Sequence, residues 1–235
     1  MTESAFPVTV VTGSRTGIGR HLAEHLLEQG HAVVGCSRQA TDLAHARYLH
    51  VEADVADEAG ARAVVGAARK TFGRLDNLVN NAGAAAMNHA LLTPAAVVER
   101  LLQVNTLGTF LMSREAARVM MGAKRGRIVN FSTVAVPFHL AGEAAYVAAK
   151  AGVEALTRVL AQEFAPFGIT VNAVGPGPMD TALTRGVPDD KLEALRARQA
   201  IHRSPTLADV AHVVDFLLHP SSGMVTGQVI YLGGA

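Results

Sequence analysis

Short apolar runs and amphipathic stretches alternate from one end of the chain to the other. Val8–Val11, His31–Cys36, Tyr48–Glu52, Leu75–Val79, Arg127–Phe131, Ile169–Val174 and Gln228–Leu232 are brief and mostly rich in β-branched residues. Each reads as a strand. Between them, helical periodicity predicts helices over Gly17–Gln29, about Asp57 to Phe72, about Pro94 to Met121, Glu143–Phe164, Asp189–Gln199 and Leu207–Leu218. Gly30 and Gly73 stand where two of these helices stop, and Pro94 suits a first helical turn. Regular strand–helix alternation implies an α/β fold with a doubly wound parallel sheet and helices on both faces. The connection from Arg38 to Tyr48 is too short for a full crossover helix, so a turn is expected there. No linker-like segment splits the chain, so one domain over 1–235 is expected.

The loop after the first strand carries the first chemistry. Gly13-Ser14-Arg15-Thr16-Gly17-Ile18-Gly19 lies between an apolar run and an amphipathic helix. Glycines there permit a tight turn and let a diphosphate approach the backbone and the helix N-terminus. The spacing is Gly-x-x-x-Gly-x-Gly, not the common Gly-x-Gly-x-x-Gly fingerprint. A Rossmann-like nucleotide site is expected, against the plainer reading of an ordinary glycine turn. The second strand ends Ser37-Arg38 with no carboxylate for ribose hydroxyls. Arg38 would instead pair with a 2′-phosphate through its planar fork, and Arg15 would add a second positive charge. Solvated surface arginines are the alternative at both positions.

Tyr146 and Lys150 are four residues apart, on one face of a predicted helix. An ammonium beside a phenol favours the phenolate and lowers a tyrosine pKa from its usual ~10. A tyrosine tuned in this way exchanges protons near neutral pH. By itself the pair is a common coincidence of spacing. Bulk composition narrows the classes around it. Hydrophobic residues make up 49% and net charge is +1 with no block of like charge, which disfavours nucleic acid or an anionic membrane as partner. The one cysteine, Cys36, excludes an internal disulfide. No secretory signal or bilayer-length apolar run is visible, so a cytoplasmic protein is expected. The ten histidines are scattered, and no metal site is expected.

Further motifs follow in order: Asn80-Asn81-Ala82-Gly83, Asn105 in Val104-Asn105-Thr106-Leu107-Gly108, the Tyr146/Lys150 pair, and Pro176-Gly177-Pro178-Met179-Asp180-Thr181. Together with the glycine loop they resemble the classical short-chain dehydrogenase/reductase family over nearly the whole chain. The nearest general likeness is to bacterial β-ketoacyl-acyl-carrier-protein reductases. The resemblance implies that residues from about 6 to 135 bind NADP(H) and that about 136 to 235 hold catalysis and substrate. It makes Tyr146 the general acid in ketone reduction. It makes Lys150 the residue that holds the nicotinamide ribose and lowers the Tyr146 pKa, and it makes Asn105 the holder of a relay water. Gly13, Ile18 and the helix N-terminus would seat the diphosphate, with Ser14, Thr16, Gly17 and Gly19 in the same loop. Ser37 and Arg38 would face the adenosine ribose. Asp54 and Val55 would flank the adenine, and Asn81, Ala82 and Gly83 the adenosine ribose. Pro176, Gly177 and Met179 belong to the nicotinamide side, where Thr181 would bind the carboxamide. The family is commonly tetrameric or dimeric, so a homo-oligomer is expected.

Three departures from the family pattern matter. The family serine thirteen residues before the tyrosine is replaced by Thr133, with Ser132 adjacent. Thr133 keeps the hydroxyl and is the expected catalytic group. Ser132, one place off register, is the alternative, since adjacent strand residues face opposite ways. The connection after Arg38 is short, which should open the adenine side. Leu232 stands where the family often has Asp or Asn before Gly-Gly. The expected reaction is hydride transfer between NADPH and a ketone, 3-oxoacyl-type or related, free or carried by an acyl carrier protein. Lys124 and Arg125 would favour carrier docking, while Phe167 stands where such reductases often carry arginine. The substrate pocket should be lined by Ala84–Met87, Val134–Leu140 and Pro178 to about Arg203, mostly apolar, with His139 the main polar exception. An alcohol dehydrogenase or secondary-metabolism ketoreductase is the nearest competing reading. A non-catalytic dinucleotide-binding regulator on the same fold is the competing class.

Overall fold

The computed structural model describes residues 6–179 and 189–235. Its strands are β1 (Val8–Thr12), β2 (Ala32–Ser37), β3 (Tyr48–Glu52), β4 (Asn77–Asn80), β5 (Gly126–Phe131), β6 (Ile169–Gly175) and β7 (Val229–Tyr231). They form one parallel seven-stranded sheet in the order β3-β2-β1-β4-β5-β6-β7. The order reverses between β1 and β4. In open α/β sheets a crevice forms at such a point, beyond the carboxyl ends of the strands.

Helices cover both faces. They are α1 (Gly17–Glu28), α2 (Glu58–Phe72), α3 (Ala95–Leu101), α4 (Gly108–Met120), α5 (Ala135–Phe138), α6 (Ala144–Phe164), α7 (Asp189–Arg198) and α8 (Leu207–Leu218). One core packs α2, α4 and α6 on the sheet through Val64, Met112, Met120 and Leu160. The other packs α1 and α8 through Leu22, Leu26, Val214 and Leu217. Central strands are therefore covered on both faces, which is why β1 and β6 are buried along their whole length. His25 Nε2 lies 2.8 Å from Asp215 Oδ2 and links α1 to α8. No described helix is long and apolar enough to cross a membrane.

Two expectations are corrected. The fourth strand starts at Asn77, not Leu75, because the Asp76 side chain leaves the ladder. Its carboxylate accepts from Val8 N (2.9 Å) and from the Arg74 guanidinium (2.6 Å). The long helix expected over Pro94–Met121 is interrupted by a π-helical turn, Leu102–Leu107. Asn105 at its centre donates to Leu101 O (3.0 Å) and to Ala84 O (2.9 Å). Side-chain capture of a carbonyl in the preceding turn widens the helix, and the second bond ties it to the loop after β4. The turn expected between β2 and β3 is present, with no helix from Arg38 to Arg47.

Helix α6 carries the tyrosine and lysine of interest. Its buried positions, among them Tyr146, Ala149, Lys150, Val153, Glu154 and Thr157, recur at three- and four-residue spacing. It returns to β6 through Gly168, whose φ is +69° and whose added Cβ would stand 2.2 Å from Lys124 O. Gly168→Ala is expected to destabilise the protein by about 1–3 kcal/mol, combining left-handed strain with a backbone clash. Urea denaturation with an unchanged slope would measure it.

Candidate active site

The glycine loop is built against the start of the next motif. Gly13 N and Ser14 N donate to Cys36 O at 2.8 and 3.1 Å. Asn81 Nδ2 donates to Thr12 O (2.9 Å) and Gly13 O (3.3 Å), and Ala82 N donates to Thr12 Oγ1 (2.9 Å). Gly13 has φ +69°, and its added Cβ would come within 3.0 Å of Ala82 Cα. The loop is thus bare backbone pressed between β2 and β4. Helix α1 opens from it with no side-chain cap at Thr16 and no acidic residue in its first turn. Its first N–H groups are left to the crevice, which suits an anionic diphosphate. The residues present therefore fit a dinucleotide.

The crevice is a cleft of about 1170 Å³, large for a single small ligand and suited to a dinucleotide with a substrate beside it. Gly13, Arg15, Thr16, Gly17, Ile18, Ser37, Arg38, Asp54, Val55, Asn81, Ala82, Gly83, Pro176, Gly177 and Met179 line it, as do Asn105, Thr133, Tyr146 and Lys150. Two cofactor candidates do not reach it. Ser14 is buried, with its hydroxyl 3.1 Å from the Tyr48 hydroxyl behind the loop. Gly19 lies beneath the loop, where a Cβ would strike Gly13 O at 2.3 Å. Both shape the loop from behind. Thr181 lies outside the described residues.

At the adenosine end, Arg38 is exposed and makes no ion pair among the described residues. Arg15 Nε donates to Ala40 O at 3.1 Å, which brings its side chain from the glycine loop to the turn after β2 that carries Arg38. Asp54 Oδ1 accepts from Ala56 N at 2.9 Å, so its carboxylate also serves as a local turn former.

At the other end, the Thr133 side chain faces the Tyr146 hydroxyl across the cleft wall and draws its pKa down. Thr133 Oγ1 accepts from Ala135 N at 3.2 Å. Ser132 points away and donates to Glu154 Oε1 at 2.6 Å. Just past the end of β5, where both residues border the cleft, the chain thus turns the Thr133 side chain, not that of Ser132, toward the tyrosine. Lys150 Nζ donates to Phe131 O at 2.7 Å and is 5% exposed. Asn105 Oδ1 accepts from Ala84 N at 3.2 Å. A Cβ added to Gly83 would lie 2.9 Å from that oxygen and 3.5 Å from Lys150 Nζ, so both atoms flank the space that Gly83 leaves open.

The electrostatics differ from the sequence expectation. Burial raises the Tyr146 pKa above its usual value, and the charge of Glu143 raises it further; the Thr133 side chain opposes both. Burial lowers Lys150 to about 8. Loss of water around both groups outweighs a lysine-driven depression of the phenol. The Tyr146 phenol therefore keeps its proton at neutral pH in the free protein. Glu143, which sequence reading missed, lines the cleft with Arg100 and Arg198. Its signal was its place immediately before the first turn of α6, three residues from Tyr146. His139 is not the polar group of the pocket. It is exposed, and its Nδ1 lies 2.8 Å from Val136 O. Arg198 instead stands 4.6 Å over the Phe138 ring and donates to Phe138 O at 2.9 Å.

Comparison with known proteins agrees with this geometry. The family described as Enoyl-(Acyl carrier protein) reductase matches residues 13–234. The cis-4-hydroxycyclohexanecarboxylate dehydrogenase of Sinomonas cyclohexanicum is 39% identical over 97% of this chain and 95% of its own length. The (2S)-[(R)-hydroxy(phenyl)methyl]succinyl-CoA dehydrogenase subunit BbsD of Thauera aromatica is 38% identical over 97% and 95%. The 3-oxoacyl-[acyl-carrier-protein] reductase FabG of Salmonella typhimurium is 32% identical over 97% and 96%. A match along almost the full chain, laid over a cleft that gathers the glycine loop, Thr133, Tyr146 and Lys150, means that the protein belongs to the short-chain dehydrogenase/reductase family of oxidoreductases.

Proposed function

We propose that the protein reduces a ketone, of 3-oxoacyl or related type, to a secondary alcohol with NADPH, and that Tyr146 donates the proton. The observation that carries this reading is the Tyr146–Thr133 hydroxyl pair at the cleft, backed by the buried Lys150. The bound nicotinamide would supply the hydride to the carbonyl carbon. Thr133 and Tyr146 would hold the carbonyl oxygen between two hydroxyls, where negative charge develops. Tyr146 would pass its proton to that oxygen, and its raised pKa keeps the proton in place until then. Lys150 would replace that proton. A relay water would sit near Gly83, where the missing side chain leaves Asn105 Oδ1 and Lys150 Nζ close together. A pure dinucleotide-binding regulator would have no use for this arrangement.

NADPH is favoured over NADH by what lies after β2. No carboxylate ends that strand, and Arg38 is left without an acidic partner among the described residues. A second reading of the substrate is favoured by the two relatives near 39% identity, whose names carry a carboxylate and a succinyl-CoA. Arg198 at the cleft wall suits an anionic group, so oxidation of a hydroxy acid stands beside ketone reduction. NADPH oxidation against a panel of 3-oxoacyl thioesters, carrier-bound and free, and cyclic keto acids would separate these substrates. No turnover with any carbonyl, and no NADP+ reduction with the matching alcohols, would sink the enzymatic reading.

Tyr146→Phe is expected to lower kcat by roughly 10²–10⁴-fold. NADPH affinity, followed by fluorescence titration, should hardly change. Arg38→Ala should weaken NADPH by roughly 10- to 100-fold, the worth of a charge-assisted hydrogen bond, and NADH little. A wild-type preference for NADH would count against Arg38. Lys150 carries its proton below about pH 8 and loses it above. The kcat/KM for reduction should therefore fall as pH rises through about 8; a profile flat to the alkaline end would remove Lys150 from proton supply.

A further inference from the structure

Three side chains on one face of α6 reach three consecutive residues at and just past the end of β5. Tyr146 meets Thr133, Lys150 meets the Phe131 carbonyl, and Glu154 meets Ser132. The first two belong to the proposed chemistry. Glu154 does not, yet it is 5% exposed, and among the described residues its one ion pair is with Arg158 at 3.7 Å. Its Oε1 accepts from two hydroxyls, Ser132 Oγ at 2.6 Å and Tyr231 at 2.5 Å. Burying a carboxylate is costly unless such donors satisfy it. Both donors are themselves spent on it.

Each donor sits next to the catalytic hydroxyl by a different route. Ser132 is covalently adjacent to Thr133, and its N–H is registered on Val174 O at 2.8 Å. Tyr231 reaches in from β7. Its ring fills the space over Gly175, where an added Cβ would lie 2.4 Å from the ring and 3.5 Å from the Thr133 carbonyl carbon. Tyr231 thus backs the Thr133 main chain across a single glycine. The carboxylate holds strand β7, the end of β5 and helix α6 at one point behind the active site.

We infer that Glu154 is a positioning residue for Thr133, acting through Ser132 and Tyr231. It fixes the main chain at 132–133 so that the Thr133 hydroxyl stays turned toward the Tyr146 hydroxyl. The constraint matters because hydroxyl placement within about 1 Å governs how well the carbonyl oxygen is held. This inference rests on the reading of Thr133 and Tyr146 as catalytic.

The test is a double-mutant cycle on the full-length protein with its best carbonyl substrate. Glu154→Leu in the wild-type background should lower kcat by roughly 10- to 100-fold. NADPH binding should stay within about twofold, because no cofactor-facing residue is touched. In a Thr133→Val background the same change should cost less than about threefold, since the hydroxyl it positions is gone. Glu154→Gln, whose amide keeps one acceptor and gains donors, should recover most of the activity. A merely structural role would lower the melting temperature equally in both backgrounds and cost kcat equally in both; that result, or no loss in wild type, overturns the inference. If Glu154→Leu does not fold, Ser132→Ala and Tyr231→Phe take its place in the same cycle, and full kcat in both overturns it as well. Absence of any turnover by the wild type would instead defeat the functional reading, so the two failures are distinguishable.

Discussion

The seam between helix α6 and the end of strand β5 is the constraint on which the site depends. Tyr146, Lys150 and Glu154 are one turn apart, and their partners are three neighbours in sequence. The three turns of the helix converge out of order on one short stretch, 133, 131 and 132, and so hold helix and strand in a single register. That register is set by the core beneath, where Leu160 and Ala161 of the same helix pack with Ile128 and Ile169 of the sheet. The hydroxyls are held by packing some distance from them, as a preorganised site requires.

Burial decides the protonation states at this seam. A phenol and an ammonium near each other in water would favour the charged pair. Here both are desolvated, so the phenol keeps its proton and the ammonium gives its up more readily. Glu143 pushes the phenol further in the same direction. An acid that keeps its proton until a substrate oxygen arrives suits the reductive direction. The same burial explains why Asn105 is locked on two carbonyls. An unpaired amide would be costly there, and the helix yields a π turn to satisfy it.

Much of this was legible beforehand in particular residues. The bare loop from Gly13 to Gly19 announced a helix N-terminus left for an anion, and that end of α1 is indeed uncapped. Thr133 was singled out over Ser132 by its spacing of thirteen residues before Tyr146, and strand alternation said only that the two could not share a face; Ser132 is bonded to Glu154 and Thr133 to Ala135 N. What could not be read was partner choice across long separations. Glu154 and Tyr231 are 77 positions apart. Ser14 turns inward because Tyr48 waits behind it, 34 positions on. His139 was expected in the pocket because of its position, but a short helical turn carries it out to solvent.

The sequence by itself determined the strand–helix alternation, the parallel sheet, the glycine loop after the first strand and the tyrosine–lysine spacing. These are local properties, encoded in periodicity and in residues that only certain turns accept. The tertiary structure decided the rest: which hydroxyl meets Tyr146, that Glu143 and Arg198 face the cleft, and that Lys150 sits near neutrality. Each of those depends on desolvation and on contacts between elements far apart in the chain, and no local pattern encodes how much water a folded site excludes.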